Sequence, residues 1–192
     1  MTPQPDDARS WLREYFRRYE RTLFGADVAP RITTLAGLLL DVRDRGGRVF
    51  LAGNGASASI ASHAAVDLVK TAGIPAHDFN EPNLITALAN DHGYEQWIAR
   101  ALELRSSPGD AAVLISSSGR SPNIIAAARR ARELGLRVVA FSGFAPDNPL
   151  RALADVEFHV DSSEYNIVEC THMIWLMATV DLLARPSVSP SG

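Results

Sequence analysis

From residues 6–23 the apolar and aromatic positions Trp11, Leu12, Tyr15, Phe16, Tyr19 and Leu23 recur at helical spacing, which predicts an amphipathic helix. A second helical stretch covers residues 31–45 and is stopped by Gly46 and Gly47. The pattern then changes. Short apolar runs at 48–52, 85–89, 111–115, 137–141 and 156–160 predict buried strands. Between and after them, helical periodicity marks 57–70, 94–104, 122–134, a short piece at 149–154, and 167–183. Strands that are apolar throughout, alternating with helices, predict a doubly wound α/β fold with a mainly parallel five-stranded sheet covered on both faces. The whole chain, 1–192, reads as one domain, with residues 1–30 as an N-terminal helical region at a subunit interface and 186–192 as a flexible tail. Two amphipathic helices ahead of the first strand need the sheet or another subunit to cover them.

Composition removes several function classes. A net charge of −3 gives none of the basic excess that nucleic-acid or membrane-surface binding requires. The single cysteine, Cys170, permits no intrachain disulfide, is too little for a thiolate metal site, and suits a reducing cytoplasm. It is expected to be buried. The polar start lacks a secretory pattern, and no uninterrupted apolar run reaches membrane-spanning length. A cytoplasmic protein with no membrane partner is the expectation.

In doubly wound sheets, ligands bind beyond the carboxyl ends of the strands, and two loops there carry unusual chemistry. The first is Gly53-Asn54-Gly55-Ala56-Ser57-Ala58-Ser59, where glycine allows close backbone approach and a serine opens a helix. The second, Ser116-Ser117-Ser118-Gly119-Arg120-Ser121-Pro122-Asn123, places four hydroxyls around one glycine ahead of a helix. A structural turn needs one or two. Hydroxyls and helix-start amides together make a neutral cradle for a phosphate monoester, and neither loop matches a Walker or dinucleotide fingerprint. A third turn, Ser142-Gly143-Phe144, reads as a structural rim.

These loops, with His63 downstream of the first, resemble those of the sugar isomerase (SIS) domain and more narrowly the phosphoheptose isomerases. The likeness runs from about residue 31 to residue 183. It implies phosphate binding by Ser57, Ser116, Ser118 and Ser121, with Asn54 near the sugar. Asn90-Asp91-His92-Gly93-Tyr94 resembles the family's Asn-Asp-x-Gly-Tyr stretch, which implies that Asp91 reaches the substrate. The resemblance further implies a homotetramer, cytoplasmic carbohydrate metabolism and a zinc ion.

Aldose–ketose isomerisation needs a base beside a carbonyl and an acid or metal to polarise it. His63 and Asp67 share one helix face at i,i+4, and Glu169 and His172 share another at i,i+3. Two carboxylates and two histidines suit either an acid–base set or a metal site formed by His63, Asp67, Glu169 and His172. By resemblance, His63 matches a family histidine and Asp67 stands where a glutamate base would be, one methylene shorter. On the last helix the family's Gln-Glu and, seven residues on, its histidine correspond to Val168, Glu169 and Leu176. The usual zinc ligands are thus incomplete, and His172, one turn before Leu176, is the candidate substitute. The expected catalytic set is Asp67 as base, His172 or Glu169 as acid, and His63 supporting the carboxylate or a metal. The resemblance implies isomerisation of sedoheptulose 7-phosphate to a heptose 7-phosphate through an enediol. Val168 and Leu176 support a second reading, a non-catalytic sugar-phosphate- or partner-binding module.

Overall fold

Five strands form one parallel sheet in the order β2-β1-β3-β4-β5 in the computed structural model, which describes residues 5–24 and 27–185. They are β1 Val49–Ala52, β2 Ala76–Asp78, β3 Ala111–Ser116, β4 Arg137–Gly143 and β5 Val156–Val160. The helices are α1 Pro5–Phe24, α2 Ala29–Asp44, α3 Ala56–Lys70, α4 Pro82–His92, α5 Trp97–Arg105, α6 Pro122–Glu133 and α7 Tyr165–Ala184. Val113 pairs with Val139 and Phe141 with Phe158, so the sheet is in continuous register across its middle.

Side chains that alternate along each strand divide the core into two layers. Leu51, Val113, Val139, Phe141 and Phe158 face α2, α3 and α7, meeting Leu39, Leu68, Trp175 and Leu176. Phe50, Leu114, Val138 and Ala140 face α5 and α6, meeting Trp97, Ile98, Leu102 and Ile124. The central strands β1 and β3 are buried along their full length. In such a sheet, ligands sit beyond the carboxyl ends of these strands.

The strand expected at 85–89 is absent: these residues lie inside α4. An apolar run of five fits either structure, and here Pro82 starts a helix that Gly93, at φ 84°, ends. The fifth strand is β2, three residues with only the first buried, too short to show a period. The expected short helix at 149–154 is a single 3-10 turn, Arg151–Leu153.

α7 is long and apolar enough by composition to cross a membrane, contrary to the expectation from uninterrupted runs. It is nevertheless a core helix, with Ile167, Val168, Thr171, His172, Trp175, Leu176, Thr179 and Val180 all buried. α2 packs into the core through Leu35, Leu38, Leu39 and Val42. α1 instead touches α7 by polar contacts, Tyr19 Oη donating to the Asn166 carbonyl at 3.2 Å and Arg18 pairing with Glu164 at 2.6 Å. Its Trp11, Leu12 and Phe16 remain exposed. The tail at 186–192 lies outside the described residues.

Candidate functional site

The first loop begins at Gly53, where an added Cβ would fall on the backbone and Cβ of Ser57. Only glycine therefore lets α3 start this close to the end of β1. Ser57 is buried by that approach. Asn54 joins the first loop to the second: it donates to Asn123 Oδ1 at 3.0 Å and accepts from Asn123 Nδ2 at 2.9 Å. Tyr94 Oη donates to the same Asn54 oxygen at 3.1 Å.

The second loop leaves β3 through the buried Ser116 and Ser117. Ser116 Oγ and Ser121 Oγ lie 3.0 Å apart, and Ser118 Oγ accepts from the Arg120 amide at 3.2 Å. Gly119 turns the chain at φ 62°, and a Cβ there would overlap Asn148. Asn148 is itself buried and donates to Ser142 Oγ and the Ala145 carbonyl. The Gly143 amide donates to the Ser117 carbonyl at 2.8 Å, which ties the end of β4 to the serine loop.

Between these loops lies a cavity of about 110 Å³ lined by Asn54, Ser57, Ile115, Ser116, Ser117, Ser118, Ser121, Tyr165 and Glu169. At ~30 Å³ per water this is roughly four waters, room for a phosphate group and its ester oxygen. Among the described residues no cation lines the cavity, and its one carboxylate is Glu169, whose Oε1 accepts from Ser117 Oγ at 3.1 Å. Hydroxyls surround the place where a phosphate would sit, and a proton acceptor stands at its edge.

The structure thus gathers Asn54, Ser57, Ser116, Ser118, Ser121 and Glu169 as expected, and adds Ser117 and Tyr165. It places the other expected residues elsewhere. Asp91 is exposed on α4, its Oδ1 accepting from Asn90 at 3.0 Å, and the stretch reaches the site through Tyr94 instead. His63 Nε2 and Asp67 Oδ2 are 3.0 Å apart but line no part of the cavity. They lie along α3 on the opposite side of its buried stripe from Ser62, Val66 and Val69, which face β2. Cys170, expected to be buried, is exposed.

His172 is the clearest correction. Its ring is wholly buried, edge-on to Phe141 at 5.6 Å, with Nε2 donating to the Ser142 carbonyl at 2.9 Å. A carbonyl can only accept, so Nε2 carries the proton and the imidazole works as a clamp between α7 and β4. Val168 and Leu176 are wholly buried beside it. Among the described residues, no three of His, Cys, Asp or Glu come close enough to hold a metal ion. His63 and Asp67 pair on α3 while Glu169 and His172 stand apart from them on α7, so among the described residues of one chain these four do not come together as a zinc set.

Burial pulls the His172 pKa from 6.5 down to about 4. The native state holds this ring neutral, while the unfolded chain binds a proton below 6.5. Stability from this group is therefore full above about pH 6.5 and is lost as pH falls towards 4, an effect of up to about 3 kcal/mol. Urea unfolding at pH 7.5 and 5 should show this loss in the wild type. In His172→Asn the pH slope should flatten, and an unchanged slope would show that other groups carry the acid sensitivity.

Residues 14–143 match the family model described as the SIS domain. A phosphoheptose isomerase of Roseiflexus sp. is 40% identical over 121 residues, covering 60% of this chain and 61% of that protein. One from Geotalea uraniireducens is 32% identical over 165 residues, covering 83% and 87%. Among solved structures, a phosphoheptose isomerase from Francisella tularensis superposes with a TM-score of 0.84 at 25% identity, covering 95% of this chain and 98% of that one.

Proposed function

The chain belongs to the SIS domain family, among its phosphoheptose isomerases, and from that premise we propose that it converts sedoheptulose 7-phosphate to a heptose 7-phosphate with Glu169 as the base. The observation that carries this assignment is the position of Glu169 as the sole carboxylate among the described residues lining the serine cavity. Ser57, Ser116, Ser118 and Ser121 hold the phosphate, and the sugar runs from it towards α7. Glu169 takes a proton from C1 of the open-chain ketose. The C–H pair becomes the C1=C2 bond, and the carbonyl pair moves onto O2. Returning the proton to C2, while the C1 hydroxyl proton passes to O2, completes the aldehyde. Ser117, bonded to the carboxylate at 3.1 Å, keeps it aimed at the cavity.

The working form is a cytoplasmic homotetramer. Exposed Trp11, Leu12 and Phe16 on α1 offer it an apolar contact surface. Asp67, hydrogen-bonded to His63, is the rival base, since it occupies the position of the family's carboxylate.

Incubation with sedoheptulose 7-phosphate in D2O, followed by NMR, tests the reading. Deuterium should enter the sugar beside the carbonyl as aldose phosphate accumulates. Binding without exchange would replace the isomerase with a non-catalytic sugar-phosphate binder.

A further inference from the structure

Phe144 is the one residue other than glycine with positive φ among the described residues, at 58°. A bulky side chain in the left-handed region is strained by about 1 kcal/mol or more and persists only where its surroundings impose it. Here they are visible. The Phe144 amide donates to the Ser162 carbonyl at 2.8 Å, and the preceding Gly143 is pressed against Val168, with no room for a Cβ. The Phe144 ring meets Tyr165 edge-on, centroids 4.9 Å apart. Tyr165 opens α7, lines the serine cavity, and precedes Glu169 by one helical turn on the same face. The strained turn therefore sets the direction of a phenol that flanks the cavity beside its only carboxylate.

Resting on the isomerase reading above, we propose that Tyr165 is a catalytic residue, the hydrogen-bond donor that stabilises the oxygen on which charge develops, and that Phe144 is its positioning residue. The reaction needs such a donor, and His172, the expected acid, is buried against Ser142 and cannot reach the substrate. As Glu169 removes the C1 proton, the phenol gives its proton to O2. It then recovers one from the C1 hydroxyl as C1=O forms, so that Tyr165 and Glu169 both end as they began. Tyr165 is 60% exposed in the isolated chain; once bound substrate covers its hydroxyl, it acts as an oxyanion donor of the kind whose loss lowers turnover by roughly 100- to 1,000-fold.

The test is Tyr165→Phe, which keeps the ring against Phe144 and removes only the hydroxyl. With sedoheptulose 7-phosphate, kcat should fall about 100-fold or more, with KM and melting temperature close to wild type. A phosphorylated six-carbon hydroxamate, whose N–OH stands in for C1–OH of the seven-carbon enediolate, should lose affinity for the variant in parallel with kcat/KM. Wild-type turnover by Tyr165→Phe would overturn the assignment, as would a fall in kcat with no change in hydroxamate affinity. If the wild type itself failed to turn over the sugar phosphate, the isomerase reading would fall first. The two failures are thus distinguishable.

Discussion

Glu169→Gln should lower kcat by roughly 100- to 10,000-fold while leaving substrate binding nearly intact. Glutamine has the same length, and its amide oxygen can still accept from Ser117 Oγ, so the wall of the cavity should keep its shape. What the amide cannot do is take a proton from carbon. Asp67→Asn, made in parallel, should change kcat by less than about threefold, since Asp67 lines no part of the cavity. Steady-state kinetics on both variants decides between the two carboxylates. Full activity in Glu169→Gln with loss in Asp67→Asn would move the base to α3. The active centre would then have to be completed across a subunit boundary.

Gly119→Ala carries the largest expected effect on stability, about 2–4 kcal/mol. Two costs combine there. The backbone sits at φ 62°, and the new methyl would overlap the side chain of Asn148, which holds the turn after β4 together. A chain of this size should lose roughly 5–15 °C in melting temperature, with a raised KM because the serines move with the turn. Gly37→Ala is the matched control: it lies on α2 with nothing within 4 Å of an added Cβ, and should gain about 0.5–1 kcal/mol. Thermal melts of the two variants settle it. Equal melting temperatures would mean that Asn148 yields more easily than its hydrogen bonds suggest.

How much of this was readable beforehand depends on where the information lies along the chain. β1, β3 and β4 were legible because strands buried on both faces carry unbroken apolar runs, 49–52, 111–115 and 138–141. β2 was not, because three edge residues carry no period, and 85–89 was misassigned because a five-residue apolar run fits a helix equally well. The serine loops were legible from hydroxyl density alone. Glu169 and His172 could not be separated by spacing, since both share a side of α7. Contact with β4, thirty residues earlier, decides that the histidine turns inward. Tyr165 carried no local signal: its role depends on meeting Phe144, whose backbone strain is invisible in a list of residues. Val168 and Leu176, apolar in the sequence, are buried on the same helix.

The order in which the elements are made has a consequence for the cell. Every strand precedes α7, and α7 is the helix that covers the stacked Phe141 and Phe158 rings, 4.4 Å apart. Before α7 emerges, a nascent chain can cover this layer with α2 and α3 alone, and Phe141 and Phe158 lack the helix that carries Trp175 and Leu176. During that interval it is a natural client for chaperones. The loop serines would already be threaded by then, but the cavity would lack Glu169. Completion of the fold and completion of the catalyst are one event, set by the docking of a single helix.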